Sequence, residues 1–266
     1  MPATTKVKDA LWRVSVLLQD VAPQFNRWPE MELVNWANDA QLAITKYLPA
    51  ACSRVDALKL KPGTRQSIEA IAAADLKPGD GSTPPATTYG VQPLSWVCNM
   101  GSDGLSPGDA IPEPVDRRIL DSQSPNWHSI AGAKVRNVVY DPSTPLYFWV
   151  KPAVPASPAA VWIQLGWIVK PSRIADGNPP GTEKYFVEGS DASLLSIDDV
   201  YLDDWVDYVT ARAFMKNADF AGNDGKAAFY TQRFLGSLNL RIQALTGNNP
   251  NLTRLPFAPE PIGAAK

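Results

Sequence analysis

Arg27-Trp28-Pro29-Glu30-Met31-Glu32-Leu33-Val34-Asn35-Trp36-Ala37-Asn38-Asp39-Ala40-Gln41-Leu42-Ala43-Ile44 reads as a helix with a hard start, one apolar stripe and a polar cluster in its middle. Pro29 suits the first helical position, where its missing N–H costs nothing. Glu30 and Glu32 fall in the first turn, where carboxylates favour the positive end of the helix dipole. Leu33, Ala37, Ala40, Ile44 and Leu48 recur at three- and four-residue intervals and so share a face. Pro49 ends the run. Asn38, Asp39 and Gln41 are then caps, bundle contacts or interface groups, not a catalytic cluster.

Upstream, Val7, Leu11, Val14, Leu18 and Val21 also keep helical spacing, predicting a helix over 5–20 with Thr4 or Thr5 as its cap. Pro23 breaks it. Downstream the period changes. Val55, Ala57, Leu58 and Leu60 lead into the turn signal Lys61-Pro62-Gly63-Thr64, and 65–71 return, which predicts a β-hairpin. Segments 77–89 and 101–114 read as loops, with a strand over 91–100 between them. Val138-Val139-Tyr140 and Leu146-Tyr147-Phe148-Trp149-Val150 flank Asp141-Pro142-Ser143-Thr144-Pro145 as a second hairpin. Residues 161–169 form a long strand that Pro171 ends. No helical crossover separates these strands, so antiparallel pairing in one small sandwich or barrel is expected.

Helices return near the C-terminus. Ser196 is placed to cap the first, with Asp198 and Asp199 in its first turn. Leu202, Val206, Val209 and Ala213 make one stripe, and Ile197, Tyr201, Trp205 and Tyr208 an adjoining one. So wide an apolar surface implies contact on two sides. In the last helix Ala228, Leu235, Leu238, Ile242 and Leu245 line up, and Gly247 is placed to stop it. The expected class is α+β. A helical bundle is drawn from 1–50 and 196–246, an antiparallel β-rich insertion fills 51–195, and 247–266 is an extended C-terminal arm. The arm's four prolines exclude a helix, and Arg254, Leu255, Pro256 and Phe257 are its anchors for a partner or neighbouring subunit.

Composition narrows the function. Twenty-five basic against 27 acidic residues leave a net charge of -2, which disfavours a protein that binds by neutralising phosphates. No run approaches the ~18 apolar residues of a membrane span, and 1–9 lack the apolar core of a signal peptide. Cys52 and Cys98 read as small core residues in a reducing cytosol. A soluble protein made inside a cell is expected. His128 is the one histidine, with neither cysteine at ligand spacing and no Gly-x-Ser-x-Gly elbow in the chain. No enzyme activity, metal or cofactor is expected. Pro125-Asn126-Trp127-His128-Ser129 reads as a stacked, hydrogen-bonded loop anchor, and Asp198, Asp199, Asp203 and Asp204 as solvent-facing acids near a helix start. Trp96, Trp127, Trp149, Trp162 and Trp167 leave a second reading open: exposed aromatic platforms that stack on sugars in a tail-associated carbohydrate-binding protein.

The 28–44 helix resembles the second helix of the head-to-tail adaptor proteins of short-tailed phages. Further segments are similar to the same family in order: Asn99-Met100-Gly101 with Pro107-Gly108-Asp109-Ala110-Ile111, then 115–128, Val139-Tyr140-Asp141-Pro142 with Phe148-Trp149-Val150-Lys151-Pro152, 199–213 and Ala227-Ala228-Phe229-Tyr230. The resemblance implies a structural virion protein in the neck between capsid and tail, assembled in the host cytoplasm. Its partners would be further copies of itself in a ring of twelve, the portal protein, and tail tube or nozzle proteins. Genomic DNA would pass through the channel without specific binding. Bundle or ring packing would fall to Trp28, Leu33, Trp36, Ile44, Tyr201, Trp205 and Tyr208.

Overall fold

A computed structural model describes residues 4–20, 27–157, 160–177, 185, 193–216 and 222–248. In chain order come helices α1 (Val7–Leu18) and α2 (Glu30–Tyr47), then strands β1 (Ser53–Lys59), β2 (Gly63–Ser67), β3 (Ile71–Ala72) and β4 (Leu76–Pro78). Strands β5 (Thr87–Thr88), β6 (Gly90–Met100) and β7 (Pro107–Ala110) precede the short helix α3 (Arg117–Gln123). Strands β8 (Asn137–Tyr140), β9 (Tyr147–Val154) and β10 (Trp162–Val169) follow, then helices α4 (Leu202–Lys216) and α5 (Asn223–Asn248). The chain is α+β and divides into two units, Pro49–Ser172 and the pair Met1–Leu48 with Arg173–Lys266.

In the β-rich unit the ladders between named strands are antiparallel, ordered β4-β1-β10-β6-β7 in one sheet and β2-β9-β8 in another. Leu58, Trp96, Ile163, Leu165 and Trp167 of the larger sheet share a core with Val138, Phe148 and Val150 of the smaller, which makes a sandwich. β8 and β9 form the expected hairpin, closed by Asp141, whose carboxylate accepts from the Ser143 N–H at 2.9 Å. The expected 55–71 hairpin is not formed. β1 pairs with β10 and β4 while β2 crosses to β9 in the other sheet. The turn between them is closed by a side chain instead of a ladder. Gln66 accepts from Lys61 N–H and donates to Lys61 O, both at 2.8 Å. Two predicted loops also hold short strands: β7 within 101–114 and β5 within 77–89.

The tryptophans are core, which corrects the sugar-platform reading. Trp96, Trp127, Trp162 and Trp167 are buried, and Trp149 is half-buried against the Leu120, Trp127 and Val139 cluster. Alternation does send Trp162 and Trp167 to opposite faces, but β10 is the central strand and both faces are covered. Trp167 Nε1 donates to the buried Asp56 at 2.9 Å. Over Trp162 lies Gly104, in the left-handed region (φ 68°), where a Cβ would sit 2.7 Å from the indole.

In the helical unit α1 buries Val7, Leu11, Val14 and Leu18 as expected, while Val21 lies outside the described residues. Thr4 and Thr5 do not cap it. Lys6 holds that position, and the two threonine amides donate to Asp199 at about 3 Å. The α2 stripe, Leu33 through Leu48, is buried throughout. Pro29 stands one position earlier than expected, as the N-cap with ψ 146°, so the helix starts at Glu30. The polar residues of this helix hold the returning chain. Asn38 brackets Ile174, accepting its N–H at 2.8 Å and donating to its carbonyl at 3.1 Å. Gln41 accepts from Ser196 N–H at 3.0 Å, and Glu30 from Tyr185 N–H at 2.8 Å. Ser196 is therefore not a cap; Asp198 is, accepting from Val200 N–H at 3.0 Å.

The last helix departs most from expectation. Its buried seam is Ala227, Phe234 and Leu238, whereas Ala228, Leu235 and Leu245 are exposed. Gly247 lies inside α5 and does not stop it.

Candidate assembly interface

α4 is the axis of the helical unit. It packs against α1, α2 and α5, and ten of its fifteen residues are buried. Its Trp205 and Ala213 side turns to α2: Trp205 Nε1 donates to Ala37 O at 3.1 Å, and Ala213 O accepts from Trp28 Nε1 at 2.9 Å. Its Asp204, Asp207 and Phe214 side turns to α5, where Phe214 stacks on Tyr230. Val206 and Thr210, both buried, point between these directions and leave that side for α1.

The fourth side of α4 is open. Tyr208, Ala211, Arg212 and Met215 floor a groove of about 540 Å³ between α2 and α5. Leu42 and Tyr47 from α2, Met215 from the floor and Leu235 from α5 line it and remain exposed. Tyr208 packs edge-on against Phe234 at 5.3 Å, and its hydroxyl accepts from Arg212 Nε at 3.2 Å and Nη2 at 3.0 Å. Asp39 and Lys46 stand on the α2 wall. Asp39 makes no hydrogen bond or ion pair among the described residues. About half a turn round α4 from this groove, at ~100° per residue, α1 exposes Trp12 (44%) and Val16 (50%). Trp12 and Val16 lie one turn apart, so they form one continuous apolar patch on α1 and not two scattered residues.

The α4–α5 seam holds two buried acids, which corrects the solvent-facing expectation for Asp204 and adds Asp207. Arg241 Nε lies 3.4 Å from Asp204, and Arg233 Nε 2.9 Å from Asp207. Burial pushes Asp207 up to about 6, against the pull of Arg233 and with the help of neighbouring Asp204 and Asp203. Asp204 is raised as well, again chiefly by burial. Just before the start of α4, Asp199 is lowered to about 2, first by the Thr4 hydroxyl and then by backbone N–H groups.

Of the residues expected to pack the bundle or ring, Trp28, Leu33, Ile44 and Trp205 are buried inside this unit. Trp36 and Tyr201 are half-buried, Tyr201 under the Arg241 guanidinium at 4.8 Å, and half-buried Tyr208 is the one in the groove. Arg254, Leu255, Pro256 and Phe257 lie outside the described residues. Leu42, Tyr47, Met215, Trp12 and Val16 went unnoticed. Their signal was apolar residues lying off each helix's buried stripe, with Trp12 and Val16 one turn apart.

In the β-rich unit His128 stacks on buried Trp127 (centroids 3.7 Å apart) and its Nδ1 meets Thr64 Oγ1 at 2.9 Å. Among the described residues no group of three or more His, Cys, Asp or Glu is placed to hold a metal, and no helix is long and apolar enough to cross a membrane. Cys52 and Cys98 are buried and not joined in a disulfide.

No curated protein matches the chain. The family model described as SU10 adaptor protein matches residues 5–254, taking in every element from α1 to α5. The chain therefore belongs to the SU10 adaptor protein family, structural adaptors of phage.

Proposed function

We propose that this protein is a head-to-tail adaptor subunit that assembles as a ring, expected to hold twelve copies, beneath the portal. It joins the capsid to the tail components and continues the channel for DNA. The observation that carries this reading is the helical unit's unpartnered apolar surface on two flanks, joined to membership of an adaptor family. A ring needs one surface of each subunit to fit a different surface of the next. The helical unit supplies those surfaces, and the β-rich unit is left to meet the tail tube or nozzle.

A net charge of -2 favours a channel through which phosphates slide without being held. The arm, 247–266, docks on the portal or a neighbouring subunit through Arg254, Leu255, Pro256 and Phe257, in the manner of segments that order on binding. The virion neck is its place, reached by assembly in the host cytoplasm. Electron microscopy of the purified chain mixed with its portal is expected to show a second ring stacked on the first. Portal rings that stay bare at saturating protein would sink the reading.

A further inference from the structure

We propose that the groove between α2, α4 and α5 is filled by the outer face of α1 from a second copy of this chain. Each subunit then gives α1 on one flank and receives its neighbour's α1 on the other. The inference rests on the ring reading above and names the contact that builds it.

Placement is the first argument. The groove lies on the Tyr208 and Met215 side of α4, and α1 covers the Val206 and Thr210 side, so donor and acceptor surfaces face nearly opposite ways. Two surfaces so disposed cannot meet within one subunit. They also cannot close a two-fold dimer with each other, because there donor and acceptor would have to lie in one patch so that each meets the other reciprocally. They propagate from subunit to subunit.

Chemistry is the second. The groove offers exposed Leu42, Met215 and Leu235, and α1 offers exposed Trp12 and Val16. An aromatic anchor entering an apolar groove is the usual centre of a strong interface. Length matches as well: Asp9 to Val16 and Asp39 to Lys46 each span about 10 Å of helix at 1.5 Å per residue.

Charge sets the direction. On α1 an acid precedes a base, Asp9 then Arg13, one turn apart and without ion-pair partners among the described residues. On the groove wall Asp39 precedes Lys46. Opposite charges meet only when the incoming α1 runs antiparallel to α2, with Asp9 beside Lys46 and Val16 beside Asp39, toward which the long Arg13 side chain reaches from one turn away.

Disulfide trapping tests this in full-length protein carrying Val16→Cys and Asp39→Cys, which the antiparallel register sets side by side, both as purified chain at high concentration and in tailed particles. Native Cys52 and Cys98 are buried, so background pairing is low. Mild oxidation is expected to give a ladder of covalent oligomers on a denaturing gel, absent from either single variant. Adding Trp12→Glu, an exposed change the fold tolerates, removes the ladder. Adding Asp9→Lys weakens it, and Lys46→Asp then restores it. A ring visible in particles but no ladder overturns the α1 contact while the adaptor reading stands. Absence of the chain from particles defeats the adaptor reading, and the purified chain then decides the contact alone. A ladder from Phe257→Cys with Leu42→Cys, in place of the Val16 pair, gives the groove to the tail and overturns the proposal.

Discussion

Asp207 is held at 2.9 Å from Arg233, yet its carboxyl prefers its proton more in the fold than in the open chain. Losing water costs the charged form more than one half-exposed guanidinium returns. A carboxyl with a folded pKa near 6 and an ordinary value of 3.8 stabilises the fold on the acid side, and that share fades as pH rises through about 6. Asp204, raised for the same reason, adds to the slope with the same sign. Asp199, lowered to about 2, contributes the opposite way, but its share is lost only when pH falls below about 4, outside the window. The wild-type unfolding midpoint is therefore expected to drop between pH 5 and pH 7.5 with no change in fold. Asp207→Asn, neutral throughout, gives a shallower drop. Equal slopes for the two proteins in calorimetry at those two pH values would show that Asp207 is not the source.

Among elements, α2 was legible because its burial follows one 3.6-residue period from Leu33 to Leu48, and a period is a property of the local chain. The β8–β9 hairpin was legible for the same reason, with a short turn rich in Pro and Ser between two apolar runs. What failed depended on partners far along the chain. Lys61-Pro62-Gly63-Thr64 signals a turn equally well within one sheet or between two, and β10, about a hundred residues on, decides which. The acids of α4 looked solvated because Arg233 and Arg241 lie on the next helix. On α5 apolar residues occupy both flanks of the buried seam, so pattern alone chose Leu235 and Leu245 over Ala227 and Phe234. The same ambiguity hid the groove, whose walls are those surplus apolar residues. Gly236 gives an element-scale test. It sits exposed inside α5, and a Cβ there would meet nothing within 4 Å. Gly236→Ala should raise the free energy of unfolding by about 0.5–1 kcal/mol, the helix cost of glycine against alanine. A denaturant titration that finds no gain would mean α5 contributes nothing local to stability.

At the scale of the molecule, the proposed docking of the arm separates it from the part of the chain that folds. The buried apolar core among the described residues runs from Val7 to Leu238, ten residues short of the end of α5. The family match itself stops at residue 254, inside the Pro-rich arm and just before Leu255. A segment with Leu255, Phe257 and four prolines among eighteen or so residues buries too little to repay its own ordering unless a partner supplies the rest of the surface. Deleting residues 249–266 should therefore leave the thermal unfolding midpoint of the purified chain unchanged, because no described core residue is removed. The Val16→Cys and Asp39→Cys ladder should persist too, since both of its surfaces lie in the helical unit. The yield of tailed particles should fall, and Leu255→Ala with Phe257→Ala in the full-length chain should reproduce most of that loss. Normal tailing without the segment would remove the arm from the mechanism. A lowered midpoint would instead give it a place in the fold, and the separation between a folding part and a docking part would be wrong.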